Sequence, residues 1–402
     1  MIQSINVFLE HCSNKYLVGK LAHKDRKIYF EYDSEFLTKG INISPYILPL
    51  KNGLIIAQDN VFEGLFGVFG DSLPDGWGKL LLDRHLASNG INYSETTQLD
   101  RLCYVGKYGM GALTYEPILE DLLKPQQDII LDDLANSSLK ILRGDGSAVL
   151  DNLLSMQGSS CGARPKIMVQ INNDMNIVHG SQKLIDGYEH YMVKFSNSID
   201  SPHSGKIEYI YSLMAKEAGI FIPTTKLIHG AINSYFAIKR FDRVGDAKVH
   251  IHSVCGLTHS DFRMPSLDYD DLLQLTFHLA KDMNEVNKIF LVAIFNLLTH
   301  NRDDHGKNFS FLLDCNNNWK LAPAYDLTLS SGPNGEHSTT YLGEGKHPTI
   351  EHLEKLAKKH NIKEYKAMIE QTKDSVASFE SLAKEVELPK NEISNILKYH
   401  RY

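Results

Sequence analysis

Apolar and polar positions alternate through the start of the chain. Lys27-Ile-Tyr-Phe-Glu-Tyr32 puts an apolar or aromatic side chain at nearly every second position, the period of a half-buried strand. Residues 1–60 as a whole predict strands and turns. Asp71-Ser-Leu-Pro-Asp-Gly-Trp-Gly78 runs into Lys79-Leu-Leu-Leu-Asp-Arg84, so Asp71 or Ser72 is expected to cap a helix with Pro74 in its first turn. Residues 101–116, with glycines at 106, 109 and 111, predict a turn and a short strand. Residues 118–130, which contain Lys124-Pro-Gln-Gln-Asp128, read as a linker. Helical periodicity then covers 131–142 and 206–218, inside an otherwise strand-rich stretch from 145 to 250. From 266 onward helices dominate, except at 309–321. The pattern predicts an α+β fold in three parts: a small β-rich N-terminal module (1–117), a mixed N-lobe (118–245) and a mainly α-helical C-lobe (246–402).

With 402 residues the chain is long enough for two or three domains, and 43% hydrophobic content excludes disorder as its main state. The formal net charge of −7 disfavours a generally basic nucleic-acid binder and leaves room only for a local patch. Lys355, Lys358, Lys359, Lys363 and Lys366 are the candidate patch, read more simply as a solvated helix face balanced by Glu351, Glu354 and Glu364. Cys12, Cys103, Cys161, Cys255 and Cys315 form no CxxC pair and are odd in number, which predicts reduced thiols in a cytoplasmic protein. Residues 1–12 lack the basic and apolar regions of a signal peptide. The longest apolar run, 289–298, is about half of what a bilayer requires, so no membrane association is expected.

The most informative stretch is His300-Asn-Arg-Asp-Asp-His-Gly-Lys-Asn-Phe309, between an apolar helix (286–299) and a strand (309–313). Asp314-Cys-Asn-Asn-Asn318 is a turn signal, and the chain returns as Trp319-Lys-Leu-Ala-Pro-Ala-Tyr-Asp326. A hairpin brings its ends together, so Asn308 and Asp326 should be neighbours, with Asp303 on the entering loop. One carboxylate to accept a hydroxyl proton, plus an amide oxygen and a second carboxylate for Mg²⁺, is what phosphoryl transfer from ATP requires. Two other readings remain: polar loop caps, or a hydrolytic metal site from His300, Asp303, Asp304 and His305.

A kinase also needs a phosphate-covering loop, a lysine and a carboxylate to place it. Gly158-Ser-Ser-Cys-Gly-Ala-Arg-Pro-Lys166 precedes a strand (167–171) and has residues small enough for backbone N–H groups to approach phosphate. By itself it also reads as a surface turn. Lys194 lies in an apolar strand, and Glu208 opens a helix; a solvent-facing lysine and a dipole-compensating glutamate are the plainer readings. Tyr235-Phe-Ala-Ile-Lys-Arg-Phe-Asp-Arg243 falls between the lobes as a hinge facing adenine. The order of parts (glycine loop, Lys, Glu, hinge, Asp-x-x-x-x-Asn, Asp) is that of protein kinases.

On these residues the chain resembles the HipA-like serine/threonine kinases of bacterial type II toxin–antitoxin modules. Asp71-Ser-Leu-Pro-Asp-Gly-Trp-Gly78 and Gly109-Met-Gly-Ala-Leu113 look like the family's N-terminal signatures. Lys239-Arg-Phe-Asp-Arg243, Asn301-Arg-Asp-Asp-His-Gly-Lys-Asn308 and Leu321-Ala-Pro-Ala-Tyr-Asp326 look like its kinase signatures. The resemblance implies ATP and Mg²⁺ as cofactors, Asp303 as catalytic base, and Asn308 and Asp326 as metal ligands. Cys161, Gly162, Ala163, Arg164, Pro165 and Lys166 would form the phosphate loop. Lys194, placed by Glu208, would contact phosphates. Lys239, Arg240 and Phe241 would border adenine, with Lys239 standing where many relatives carry an acidic residue. His305, Gly306, Lys307 and Asn308, with Tyr325 and Asp326, would complete the pocket.

It further implies inhibitory autophosphorylation at Ser159, or at the adjoining Ser160, where a phosphate would compete with ATP and push the loop outward. The expected substrate is a protein, such as the glutamyl aminoacyl-tRNA synthetase. The expected partner is a HipB-like helix-turn-helix antitoxin, through which the chain would meet operator DNA indirectly. A small-molecule kinase and a non-catalytic co-repressor are the competing expectations.

Overall fold

The computed structural model describes residues 2–57, 61–119, 129–144, 150–156, 162, 164–180, 183–197, 199–264 and 266–401. Strands β1 (Ser4–His11), β2 (Asn14–Lys24), β3 (Lys27–Tyr32), β4 (Ile55–Ile56) and β5 (Leu113–Glu116) form an antiparallel sheet in the order β4-β3-β2-β1-β5. Alternation sets its buried face: Ile5, Val7 and Leu9 of β1, and Ile28, Phe30 and Tyr32 of β3, are all buried. Two helices interrupt what the sequence reads as strands and turns. Ser34–Lys39 is capped by the Asp33 carboxylate and ends at Gly40 in the left-handed region. Gln98–Val105 starts with a Thr97/Asp100 capping box, inside the stretch expected to be a turn.

The expected cap at Asp71 or Ser72 is not made. The helix runs Gly76–Ser88, after Pro74, with Asp75 at its N-cap position. Asp71 instead reaches the C-lobe, accepting from His252 Nδ1 (2.6 Å), Ser253 N (2.8 Å) and Ser253 Oγ (2.6 Å). A carboxylate with three nonlocal donors gains more than one at an open helix end.

The N-lobe sheet comprises β6 (Lys166–Asn172), β7 (Ile177–His179), β8 (Tyr188–Lys194), β9 (Thr225–His229) and β10 (Ser234–Lys239), in the order β7-β6-β8-β10-β9. β6 is buried on both faces, consistent with its unbroken run Ile167-Met-Val169. Its core includes Trp77 and Leu81 of helix Gly76–Ser88 together with Leu134 and Leu153, so that helix packs with the N-lobe although it precedes it in sequence. Asp132 pins the helix Leu131–Arg143 to the β9–β10 turn, accepting from Ala231 N (2.6 Å) and Tyr235 Oη (2.5 Å).

In the C-lobe, helix Met283–Thr299 is buried almost all round from Ile289 on, as its apolar run requires. Strands His250–Ser253, Ser310–Leu313 and Trp319–Leu321 form a small antiparallel sheet. One hydrophobic core runs from the N-terminal sheet into these helices. Gly67 lies so close to Gly256 that a β-carbon on it would stand 2.1 Å from the Gly256 carbonyl oxygen. No helix among the described residues is long and apolar enough to cross a membrane.

The thiol expectation is corrected at one pair. Cys12, in the β1–β2 turn, and Cys315, in the turn after Ser310–Leu313, are joined by a disulfide, their Cα atoms 5.6 Å apart. They are 303 residues apart in sequence, a pairing that spacing cannot reveal. Cys103 and Cys255 are buried and take part in no disulfide.

Candidate active site

The N-lobe sheet, the loop 303–308 and the N-terminal module enclose a cleft of about 740 Å³, within the usual range for a small-molecule site. The cleft brings together Lys194, Asp303, Asn308 and Asp326 from three separate segments, Asp303 and Asn308 sharing one loop. Lys194 ends β8, a central strand, so it does not face solvent. Its Nζ lies 2.5 Å from Glu208 Oε1 and 2.6 Å from Asp326 Oδ1. Glu208 is buried on helix Ser204–Glu217 and serves as the lysine's partner rather than as an exposed dipole charge. Burial alone would depress the Lys194 pKa, but the two carboxylates outweigh it and hold the ammonium protonated. Asp326 responds oppositely: burial is outweighed by Lys194, Lys166 and Arg164, and its carboxyl sits well below the usual carboxylate range. Its backbone adopts φ +59°, a left-handed conformation that aspartate tolerates better than bulkier residues.

Asp303 stands at the cleft with its side chain about half exposed (53%). Burial raises its pKa, with His305 opposing and the charge of Asp326 adding to the rise. His305 Nε2 is 3.7 Å from Asp303 Oδ1. Asn308 closes the loop by donating from Nδ2 to the Asp303 carbonyl at 2.7 Å. Its amide nitrogen is thereby committed, and Oδ1 is the atom suited to a cation.

The neighbouring Asp304 has a different task. It is buried and accepts from Tyr269 Oη (2.9 Å), His337 Nδ1 (2.9 Å) and Thr339 N (3.1 Å), fixing the loop to the C-lobe. His300 caps the preceding helix and packs at a tilt against Tyr399, 4.8 Å between ring centroids. The four-residue hydrolytic metal site therefore does not assemble. Among the described residues no group of three or more His, Cys, Asp or Glu converges as metal ligands. Asn308, Asp326 and the phosphates of a nucleotide nonetheless make a hard-oxygen donor set of the kind Mg²⁺ takes.

Lys239, Arg240 and Phe241 line the cleft. Lys239 pairs with Glu189 across the sheet, so its ammonium already has a partner. Arg240 turns its guanidinium to the buried Asp242, and Phe241 stacks on Tyr325 with centroids 5.6 Å apart. Tyr325 Oη in turn donates to the Lys307 carbonyl at 2.7 Å. Gly306 is buried against Cys255, whose Sγ would meet a β-carbon at 2.8 Å.

In the expected phosphate loop, Ser159, Ser160, Cys161 and Ala163 lie outside the described residues. Arg164 forms a two-pronged pair with Asp200 (2.9 and 3.1 Å), and Lys166 is buried at the cleft wall beside Pro165. The Gly162 N–H does not point to a phosphate position; it donates to Asp75 Oδ1 at 2.6 Å. Asp71, Asp75 and Met110 of the N-terminal module also line the cleft, a contribution the sequence reading missed. The signal lies in the Asp71–Gly78 motif, whose local pattern reads as helix capping and whose resemblance is to a family signature.

A β-sheet lobe over a helical lobe, with a Lys–Glu pair facing an Asp and an Asp-x-x-x-x-Asn loop, defines a kinase-like fold. The family comparison then places it: residues 158–380 match the HipA-like C-terminal domain and residues 9–116 the HipA N-terminal domain, and the chain belongs to the HipA family. Among curated proteins it is 27% identical over 282 residues to "Putative kinase Y4mE" of Sinorhizobium fredii, a match covering 64% of this chain and 63% of that protein. The chain thus spans under two thirds of that relative's length. Among solved structures it is similar to a chain of the Shewanella oneidensis MR-1 toxin–antitoxin complex of HipA, HipB and operator DNA. That similarity has a TM-score of 0.70 at 17% identity and covers 98% of this chain and 94% of that one.

Proposed function

We propose that this chain is an ATP- and Mg²⁺-dependent serine/threonine protein kinase that acts as a growth-inhibiting toxin. The observation that carries the reading is Lys194 held between Glu208 and Asp326 in the cleft that Asp303 and Asn308 also line. Asp303 orients the attacking hydroxyl and accepts its proton as the new O–P bond forms and the bond to ADP breaks. Asn308 and Asp326 would hold Mg²⁺, which would supply charge neutralisation at the phosphates. Lys194 and Lys166 bind phosphate oxygens, and Phe241 with Tyr325 borders the base.

By family resemblance the substrate is a translation component such as an aminoacyl-tRNA synthetase. A HipB-like antitoxin restrains the kinase and links it to operator DNA. Activity is self-limited by phosphorylation at Ser159 or Ser160. Asp303→Asn tests the reading: labelled phosphate transfer to protein should fall by about 10²–10⁴-fold and growth inhibition should disappear, while the variant stays folded. Undiminished toxicity, or label passing only to a metabolite, would overturn it. Mass spectrometry of the purified chain tests self-limitation; phosphate outside 159–160 rejects that assignment.

A further inference from the structure

Asp75 joins two loops that reach the cleft from opposite ends of the chain. Its Oδ1 accepts the Gly162 N–H at 2.6 Å and its Oδ2 accepts from Lys307 Nζ at 2.5 Å. Trp77 N–H donates to the Gly162 carbonyl at 3.1 Å, so both peptide groups of that glycine are held by the start of helix Gly76–Ser88. The ion pair is sheltered, with side-chain exposures of 8% for Lys307 and 16% for Asp75. Lys307 Nζ also lies 4.7 Å from the centre of the Phe262 ring. Gly162 has φ +110°, a backbone conformation that residues with a β-carbon rarely adopt, so glycine suits the point where Asp75 grips the loop.

We infer that Asp75 is a positioning residue for nucleotide binding, clamping the phosphate-binding loop to the catalytic loop so that Lys166, Lys194 and Lys307 face the triphosphate together. This rests on the kinase reading and deepens it. The opposing idea is a carboxylate that occupies the phosphate position and is displaced by ATP. Two observations count against displacement. The Gly162 carbonyl is gripped as well as its N–H, and a phosphate cannot replace that contact. The grip also comes from a helix start anchored by Trp77, which is buried in the N-lobe core.

The test uses the full chain with Mg²⁺ and a non-hydrolysable ATP analogue in calorimetry, alongside steady-state kinetics. Asp75→Asn keeps the shape and removes the charge. Analogue Kd and KM for ATP should rise about tenfold, the worth of one charge-assisted hydrogen bond. kcat at saturating ATP should stay within about threefold, whereas a merely unfolded fraction would lower kcat at unchanged KM. Unchanged or tighter binding in a variant that melts with the wild type overturns the clamp, and tighter binding establishes displacement. Should Asp75→Asn fail to fold, hydrogen exchange on the nucleotide-free wild type decides: the Gly162 amide must be protected, and rapid exchange overturns the clamp. If the wild type binds no Mg²⁺–analogue, the kinase reading and the clamp fall together. If it binds and the variant binds equally, only the clamp falls.

Discussion

Lys194 and Asp326, 132 residues apart, are bonded at 2.6 Å, and Glu208 closes on the same ammonium from the other side at 2.5 Å. One cation therefore serves two carboxylates at the back of the cleft. The arrangement keeps Asp326 ionised, so a divalent cation would meet a charged ligand with no proton to displace. Lys194→Met leaves two mutually repelling carboxylates without the ammonium bonded to both, with only the more distant Lys166 and Arg164 to offset them. Unfolding in urea should show a loss of about 3 kcal/mol, and phosphate transfer should vanish. Adding Glu208→Gln should recover part of the stability and none of the activity. A double variant no more stable than the single one would show that the charge pairing is not what Lys194 contributes.

Asp303 gives the pH dependence a sign. Its pKa is raised chiefly by burial, so the base form required for proton acceptance is lost on acidification earlier than for an ordinary carboxylate. The acidic limb of kcat/KM should lie above the ordinary value of 3.8. For stability the folded state binds the proton more tightly than the unfolded state, so this group's contribution becomes less favourable as pH rises through that window. Asp303→Asn should thus be neutral or slightly stabilising at pH 7 in thermal melts, although transfer should fall steeply. A marked loss of stability would assign the residue to the scaffold.

Asp242 holds the hinge to the N-terminal module. Fully buried, it pairs with Arg240 (2.8 Å) and Arg243 (2.8 Å) and accepts the Gly111 N–H at 2.8 Å. Burial would raise its pKa, but the two guanidiniums outweigh this and hold it well below the usual range. A depressed folded-state pKa contributes stability above the ordinary value, and that contribution is lost only as pH falls through the depressed one. Asp242→Ala strands two buried arginines and should cost about 3–5 kcal/mol, read from denaturant midpoints. A loss below 1 kcal/mol would mean that water solvates the arginines.

Local pattern carried much of this molecule. The helix at 286–299 and the hairpin after Asn308 follow from periodicity and turn chemistry, which act within a few residues, while the order Lys194, Glu208, Asp303, Asn308, Asp326 is read from its likeness to the order of parts in kinases. What pattern left out is the way the signature motifs meet one another. Gly109-Met-Gly-Ala-Leu113 receives Asp242 and Arg243 through the Gly109 and Gly111 backbone. Asp71 meets His252 and Ser253, and Asp75 meets Lys307. Each is a nonlocal bond made by a residue type that also caps helices and builds turns, so local pattern does not reveal it, as the capping expectation at Asp71 shows. The lysine-rich stretch near the C-terminus was the converse case: Lys355 and Lys358 pair with Glu351 and Glu354 one turn back, and Lys359 with Asp270, a solvated face as its spacing indicates.

The Cys12–Cys315 bond fastens the N-terminal module to the hairpin whose two ends carry Asn308 and Asp326. Both cysteines sit in hairpin turns, where cross-linking perturbs neither ladder. A link closing so long a loop restricts the unfolded chain, and its removal typically costs about 2–4 kcal/mol. Cys12→Ser should therefore lower the urea midpoint of oxidised protein, and a reducing agent should lower the wild type to the same value while leaving the variant unmoved. Thiol titration in denaturant without reductant should find at most three of the five cysteines. Peptide mapping should recover Cys12 and Cys315 in one linked fragment. If all five titrate and reductant leaves the midpoint unchanged, the module is fastened by the shared hydrophobic core and the Asp71 and Asp242 contacts alone.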